Sequence, residues 1–96
     1  MKKNKCPCCG FYTIELDHGA PMYDICPVCF WEDDPEQRRD EKLEESANKV
    51  SLIQARKNYK EFGASEAWLL KYVRHPKPRE LSGIDDLRTL PQHCFE

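Results

Sequence analysis

The chain has 96 residues, enough for one domain at most, and its 40% hydrophobic and 33% charged content leaves a small core that benefits from a staple. A formal net charge of -2 argues against nucleic acid as the main partner, because that affinity comes from phosphate neutralisation, while a local basic patch stays compatible with it. No run of about 18 apolar residues is present, which excludes a transmembrane helix, and Met1-Lys2-Lys3-Asn4-Lys5 carries no secretory apolar region, so a reducing cytoplasm and no membrane partner are expected.

The first feature along the chain is Cys6-Pro7-Cys8-Cys9-Gly10, and it returns as Cys26-Pro27-Val28-Cys29. Cys6 with Cys9, and Cys26 with Cys29, each stand three positions apart, so each loop can turn two sulfurs toward one ion. Two such loops supply four thiolates, the closed tetrahedral shell of a structural zinc site. The full spacing, C-x2-C-x16-C-x2-C, falls in the zinc-ribbon window. Two disulfides or redox dithiols are the competing reading, which a reducing compartment disfavours. Pro7 and Pro27 fix φ inside each turn, and Gly10 eases the sharp exit from the first; Phe30 takes the matching place in the second. Cys8 can stand in for Cys9, but its spacing from Cys6 suits a shared ion less well, so the expected ligand set is Cys6, Cys9, Cys26 and Cys29. Zinc would then contribute folding energy, and chelation should unfold at least the first third of the chain. Four thiolates add -4 and the ion +2, which takes the net charge from -2 to -4.

Residues 11–16 are β-branched and aromatic, which predicts a strand. Residues 17–21 are turn chemistry, and residues 22–25 return toward the second cysteine pair. The expectation is a hairpin with one metal loop at its base and the other at its end. His18, in the turn, reads as solvated, since four sulfurs already complete a shell. Phe30 and Trp31 are expected to cover the metal loop and keep water from the thiolates. The alternative for Trp31 is an exposed recognition role.

Residues 32–37 form an acidic run that reads as a helix start, with Asp34 as N-cap, Pro35 at the first helical position and Gln37 at capping-box spacing. Its competing reading is a set of carboxylates for catalysis or for a basic partner, which would need an enclosed pocket. Residues 36–49 are polar, with Leu43 as the one large apolar side chain, and read as a short exposed helix or a loop.

The clearest helix is 51–62. Ser51 and Gln54 offer a capping box, Val50 can staple against Ala55, and Gly63 supplies the stop. Leu52, Ala55, Tyr59 and Phe62 recur on one face. Ser65 is expected to cap a second, shorter element that runs through Trp68 to Val73, and the prolines at 76 and 78 break it. The basic segment 71–79, with Lys71, Arg74, Lys77 and Arg79 near Trp68 and Tyr72, reads as a solvated connector, with stacking on single-stranded nucleic acid as the alternative. Ile84, Leu87 and Leu90 are spaced to dock a turn on the core; His93 and Cys94 form too small a donor set for a second metal site.

Several separate blocks then agree in order. Cys6-Pro7-Cys8-Cys9-Gly10-Phe11-Tyr12-Thr13, the block from Ile25 to Asp34, Ala47-Asn48-Lys49-Val50-Ser51-Leu52 and Phe62-Gly63-Ala64 resemble the bacterial CPCC cysteine-rich family over roughly residues 5–76. The polar stretch 38–46 departs from that pattern. The resemblance implies a small bacterial cytoplasmic protein of zinc-ribbon type. It implies no biochemical activity, and it carries over no functional residue beyond the cysteines. Members resemble small proteins encoded near secreted polymorphic toxins, which implies toxin immunity for some.

The expected fold is a small α+β domain: a zinc ribbon, made of a β-hairpin with two zinc knuckles, packed against an amphipathic helix, with a Pro-rich C-terminal extension. Residues 1–80 would form the zinc-ribbon domain and residues 81–96 the extension, docked on the core. The expected function is a Zn2+-stabilised module that binds a protein partner, such as a toxin it blocks. The alternative is a nucleic-acid-associated ribbon that uses Lys71, Arg74, Lys77 and Arg79. An enzyme built on Cys8 or the acidic run is the weakest reading, because no nucleophile and base pattern supports it.

Overall fold

The structure, a computed structural model, describes residues 3–81. Four short strands, β1 (Asn4–Lys5), β2 (Tyr12–Ile14), β3 (Leu16–Asp17) and β4 (Ala20–Pro21), precede two helices, α1 (Pro35–Arg39) and α2 (Leu52–Phe62). Two 3-10 helices follow, Ala67–Tyr72 and Pro78–Glu80. The fold is α+β, as expected, but the strands pair differently.

Two antiparallel pairs form, β1 with β2 and β3 with β4. The first opens with a bulge between Asn4 and Lys5. The second is closed by His18 and Gly19, both left-handed at φ 51° and 82°, which is the backbone of a two-residue hairpin turn. The expected hairpin paired residues 11–16 with 22–25. Instead Tyr12–Ile14 pair back with Asn4–Lys5, and only Leu16 and Asp17 pair forward, with Pro21 and Ala20. Pro21 has no N–H to extend that ladder. Beyond it the Asp24 carboxylate takes the Glu15 N–H at 2.8 Å, and residues 23–25 pair forward with 32–33. Tyr23 N donates to Asp33 O at 3.1 Å, Asp33 N donates to Asp24 O at 2.9 Å, and Ile25 bridges Glu32. Each cysteine loop therefore sits at the tip of its own small hairpin.

The core gathers Phe11, Ile14, Val28, Trp31, Leu52 and Ala55 around the cysteines. α2 delivers its apolar face as the sequence predicts. The Ser51 side chain accepts from Gln54 N at 3.1 Å, and Gly63 closes the helix in the left-handed region at φ 94°. The reciprocal half of the capping box does not form, because Gln54 Nε2 reaches Asn58 Oδ1 instead. Tyr59 meets Phe11 edge to face at 6.3 Å, and Leu81 also packs on the core.

The acidic run does structural work. Asp34 caps α1 through the Glu36 N–H at 2.8 Å and also accepts from the Ser46 hydroxyl and from Ala47 N. Asp33, fully buried, holds Arg38 with two contacts of 3.0 Å. Gln37 is also fully buried rather than completing a capping box. Its Nε2 donates to the carbonyls of Leu43, Asn48 and Val50, and its Oε1 accepts from the backbone and side-chain nitrogens of Asn48. Asn48 in turn donates to Glu32 O and accepts from Glu32 N. The polar segment 40–50 is thereby hung on one amide side chain, which offsets its lack of apolar residues.

The element after α2 is a 3-10 helix at Ala67–Tyr72, and Glu66, not Ser65, holds its N-cap position. Ser65 is buried because its backbone N donates to Cys29 O at 2.8 Å. Residues 82–96, with Ile84, Leu87, Leu90, His93 and Cys94, lie outside the described residues, and with them most of the extension expected at 81–96.

Candidate metal centre

The two cysteine loops are built alike. In the first, Cys6 N donates to Phe11 O at 2.8 Å and Gly10 N to Cys6 O at 2.9 Å. In the second, Cys26 N donates to Trp31 O at 3.0 Å and Phe30 N to Cys26 O at 2.7 Å. Gly10 and Phe30 leave their loops in the same left-handed conformation, at φ 85° and 66°. Glycine makes this at no steric cost; phenylalanine does not. The Phe30 ring is held by stacking on Tyr72, with centroids 5.3 Å apart.

The Sγ atoms of Cys6, Cys9, Cys26 and Cys29 all lie within 4.8 Å of one another. Cys6 and Cys29 are 3.6 Å apart, and Cys9 and Cys26 3.7 Å. A tetrahedron of sulfurs about 2.3 Å from a central ion has edges of about 3.8 Å, so these contacts fit one ion. They are far longer than a sulfur–sulfur bond of about 2.05 Å, and the five described cysteines are all free. The four sulfurs together can hold a metal ion. Cys8 is buried inside the first loop but stands outside this group. His18 is exposed in its turn, 2.8 Å from Asp17 Oδ1.

Three of the four thiols, Cys9, Cys26 and Cys29, are shifted in different directions. Hydrogen bonding from Cys29, then from Cys6 and Cys9, pulls Cys26 far below the ordinary thiol range, against burial; the Thr13 hydroxyl at 2.9 Å adds to this. The bond to Cys26 pushes Cys9 well above that range, and burial pushes Cys29 up. Cys9, Cys26 and Cys29 compete for protons, with Cys26 the most acidic of the three. A divalent cation substitutes for these protons, which is why metal binding to such a cluster releases them.

Contacts from the rest of the chain set the loops in place. Arg56 on α2 donates through Nε to Pro7 O at 2.8 Å and pairs with Glu41 at 2.8 Å. The second loop is gripped by Ser65 N on Cys29 O and by Arg74 N on Pro27 O at 3.1 Å. Val28 N lies 3.4 Å from Cys26 Sγ. Trp31 is fully buried among the cysteines, so it covers the site as expected and has no exposed recognition role. Thr13, Arg56 and Ser65 carry no spacing signal that would single them out in the sequence.

Of the basic segment, Arg74 is committed to Glu80 by two contacts of 2.9 and 2.8 Å. The Glu80 side chain raises Arg74 above its ordinary value. Burial pushes Glu80 up, but Arg74 and the Lys77 N–H outweigh it and hold the carboxyl below its usual range. Lys71, Lys77 and Arg79 remain exposed.

The model of the family described as "Cysteine-rich CPCC" matches residues 4–80. The chain belongs to the cysteine-rich CPCC family. The match takes in both loops, α1, α2 and both 3-10 helices, so this CPCC protein carries the family pattern through nearly every described element. No curated protein matches the chain. No helix among the described residues is long and apolar enough to cross a membrane.

Proposed function

We propose that this CPCC protein is a zinc-stabilised module that binds another protein in the cytoplasm and catalyses no reaction. Cys6, Cys9, Cys26 and Cys29 would ligate the zinc, and the ion would staple the two hairpins together. Four thiolates with no fifth donor make a closed structural site rather than a catalytic one, which keeps a position open for water or substrate.

The observation that carries the binding role is a set of large apolar side chains left in solvent. Met22, Tyr23 and Ile25 are 45–51% exposed, and Trp68, Leu70 and Tyr72 are 44–59% exposed. Aromatic residues and methionine are the types enriched at protein interfaces, and a domain with so small a core has reason to bury them itself. A narrower form of the proposal is an immunity protein that blocks a toxin. The acidic balance would steer it toward a basic partner.

The test is capture of partners by the zinc-loaded chain with nuclease present, repeated with Trp68→Ser and Tyr23→Ser. The proposal expects one stoichiometric protein partner that survives nuclease and is lost from the variants while their zinc content is unchanged. Partners that vanish with nuclease, and with charge reversal at Lys71, Lys77 and Arg79, would move the assignment to a nucleic-acid-associated ribbon.

A further inference from the structure

The four clustered cysteines are not equally protected. Cys6, Cys26 and Cys29 are at most 1% exposed, whereas Cys9 is only half-buried. Cys9 lines a groove of about 780 Å³ between α2 and residues 70–76, walled by Phe11, Tyr59, Phe62, Leu70 and Val73. It also lines a second hollow of about 580 Å³, beside Lys5, Pro7, Gly10 and Arg56. Cys6 and Cys8 share the second hollow but not the first; among the described cysteines, Cys9 alone borders both. A small solute can therefore approach Cys9 from two sides.

We propose that Cys9 is the oxidant-reactive site of the metal centre, and that a hydroperoxide joins Cys9 to Cys26 and so opens the site. This rests on the zinc reading above. In the first step Cys9, a thiolate when it holds zinc, attacks one peroxide oxygen. A sulfur–oxygen bond forms and the oxygen–oxygen bond breaks. The sulfur loses two electrons to become a sulfenic acid, and the peroxide leaves as hydroxide and takes a proton. In the second step the Cys26 thiolate, 3.7 Å away, attacks the oxidised sulfur. The disulfide forms, the sulfur–oxygen bond breaks, and a second hydroxide leaves as water. The sum is two thiolates, one hydrogen peroxide and two protons giving one disulfide and two waters. Two thiolates then remain at the centre, too few to complete a zinc shell.

Access, not sulfur separation, selects the pair. Cys6 and Cys29 are slightly closer, at 3.6 Å, but neither is more than 1% exposed, even though Cys6 borders the second hollow. Cys8 is also buried, at 8% exposure, and is not required.

The experiment adds limiting hydrogen peroxide to the full-length zinc-loaded chain, quenches with acid, blocks free thiols and maps the peptides by mass spectrometry. A chromogenic chelator follows zinc in parallel, and zinc content is measured before oxidant is added. The expected first product is the Cys9-to-Cys26 disulfide, with one zinc released per disulfide, and Cys8→Ser gives the same product at the same rate. A first product that joins Cys6 to Cys29, one that involves Cys8, or zinc released without any disulfide would overturn this inference and leave the zinc assignment standing. A chain that holds no zinc at the outset overturns both.

Discussion

Gly10 and Phe30 occupy the same backbone position in two loops of one design, one at φ 85° and the other at φ 66°. Only the glycine is at ease there. For phenylalanine the left-handed conformation costs about 1–2 kcal/mol, and the stack on Tyr72 at 5.3 Å offsets it.

This asymmetry separates two substitutions. Phe30→Ala loses the stack and keeps the strain that the wild type also carries, so it should destabilise the zinc-loaded chain by about 1 kcal/mol. Phe30→Gly loses the stack and relieves the strain, and should be milder by about 1 kcal/mol. Denaturant unfolding at fixed free zinc measures both. An alanine variant as stable as the glycine variant would mean that the positive φ carries no cost here.

Gln37 and Asn48 make a second test. Gln37→Leu removes five hydrogen bonds and leaves the carbonyls of Leu43, Asn48 and Val50 facing an apolar side chain. At about 1–3 kcal/mol per stranded buried group, a loss of at least about 3 kcal/mol is expected. Hydrogen exchange should show it first as lost protection over residues 43–50, with all four sulfurs still in place. Unchanged exchange in that segment would show that Gln37 does not hold it.

Low pH should erase a specific contribution. Asp34 and Glu80 are both held below the ordinary carboxylate range in the folded chain, Asp34 by Ser46 and the N–H groups of Ala47, Glu36 and Gln37 acting against burial. A depressed folded-state value means that the stabilisation is fully present above about pH 4–5 and is lost as pH falls through the folded value. The stability gap between wild type and Glu80→Gln should therefore be widest near neutrality and narrow in acid. Paired unfolding curves at several pH values measure it, and a gap that is constant with pH would contradict the Arg74 pairing as its source.

What the sequence reveals here depends on how local the cause is. The cysteine loops are legible because two sulfurs three residues apart have few other uses beside a turn-forming proline. The ends of α2 are legible because Ser51 and Gly63 act on their own neighbours, and Asp34 followed by Pro35 starts α1 for the same reason. Strand pairing was not legible. Strands of two or three residues have too little pattern to fix a register, and here the Asp24 carboxylate takes the Glu15 N–H while residues 23–25 pair with 32–33. Nor was the burial of Gln37, since an amide can be solvated or enclosed equally well until the loop around it is known. Ser65 misled because its type suits a cap, while its place is fixed by Cys29, distant in sequence.

In the proposed centre one zinc ion is held by Cys6, Cys9, Cys26 and Cys29, and Cys8 stands apart. Zinc content per chain, measured by atomic absorption after exhaustive dialysis, tests it most directly across single serine variants. One zinc per chain is expected in the wild type and in Cys8→Ser, and close to none in Cys6→Ser and Cys29→Ser, with loss of the hairpins in those two. A Cys8→Ser variant that loses zinc as completely as Cys6→Ser would contradict it.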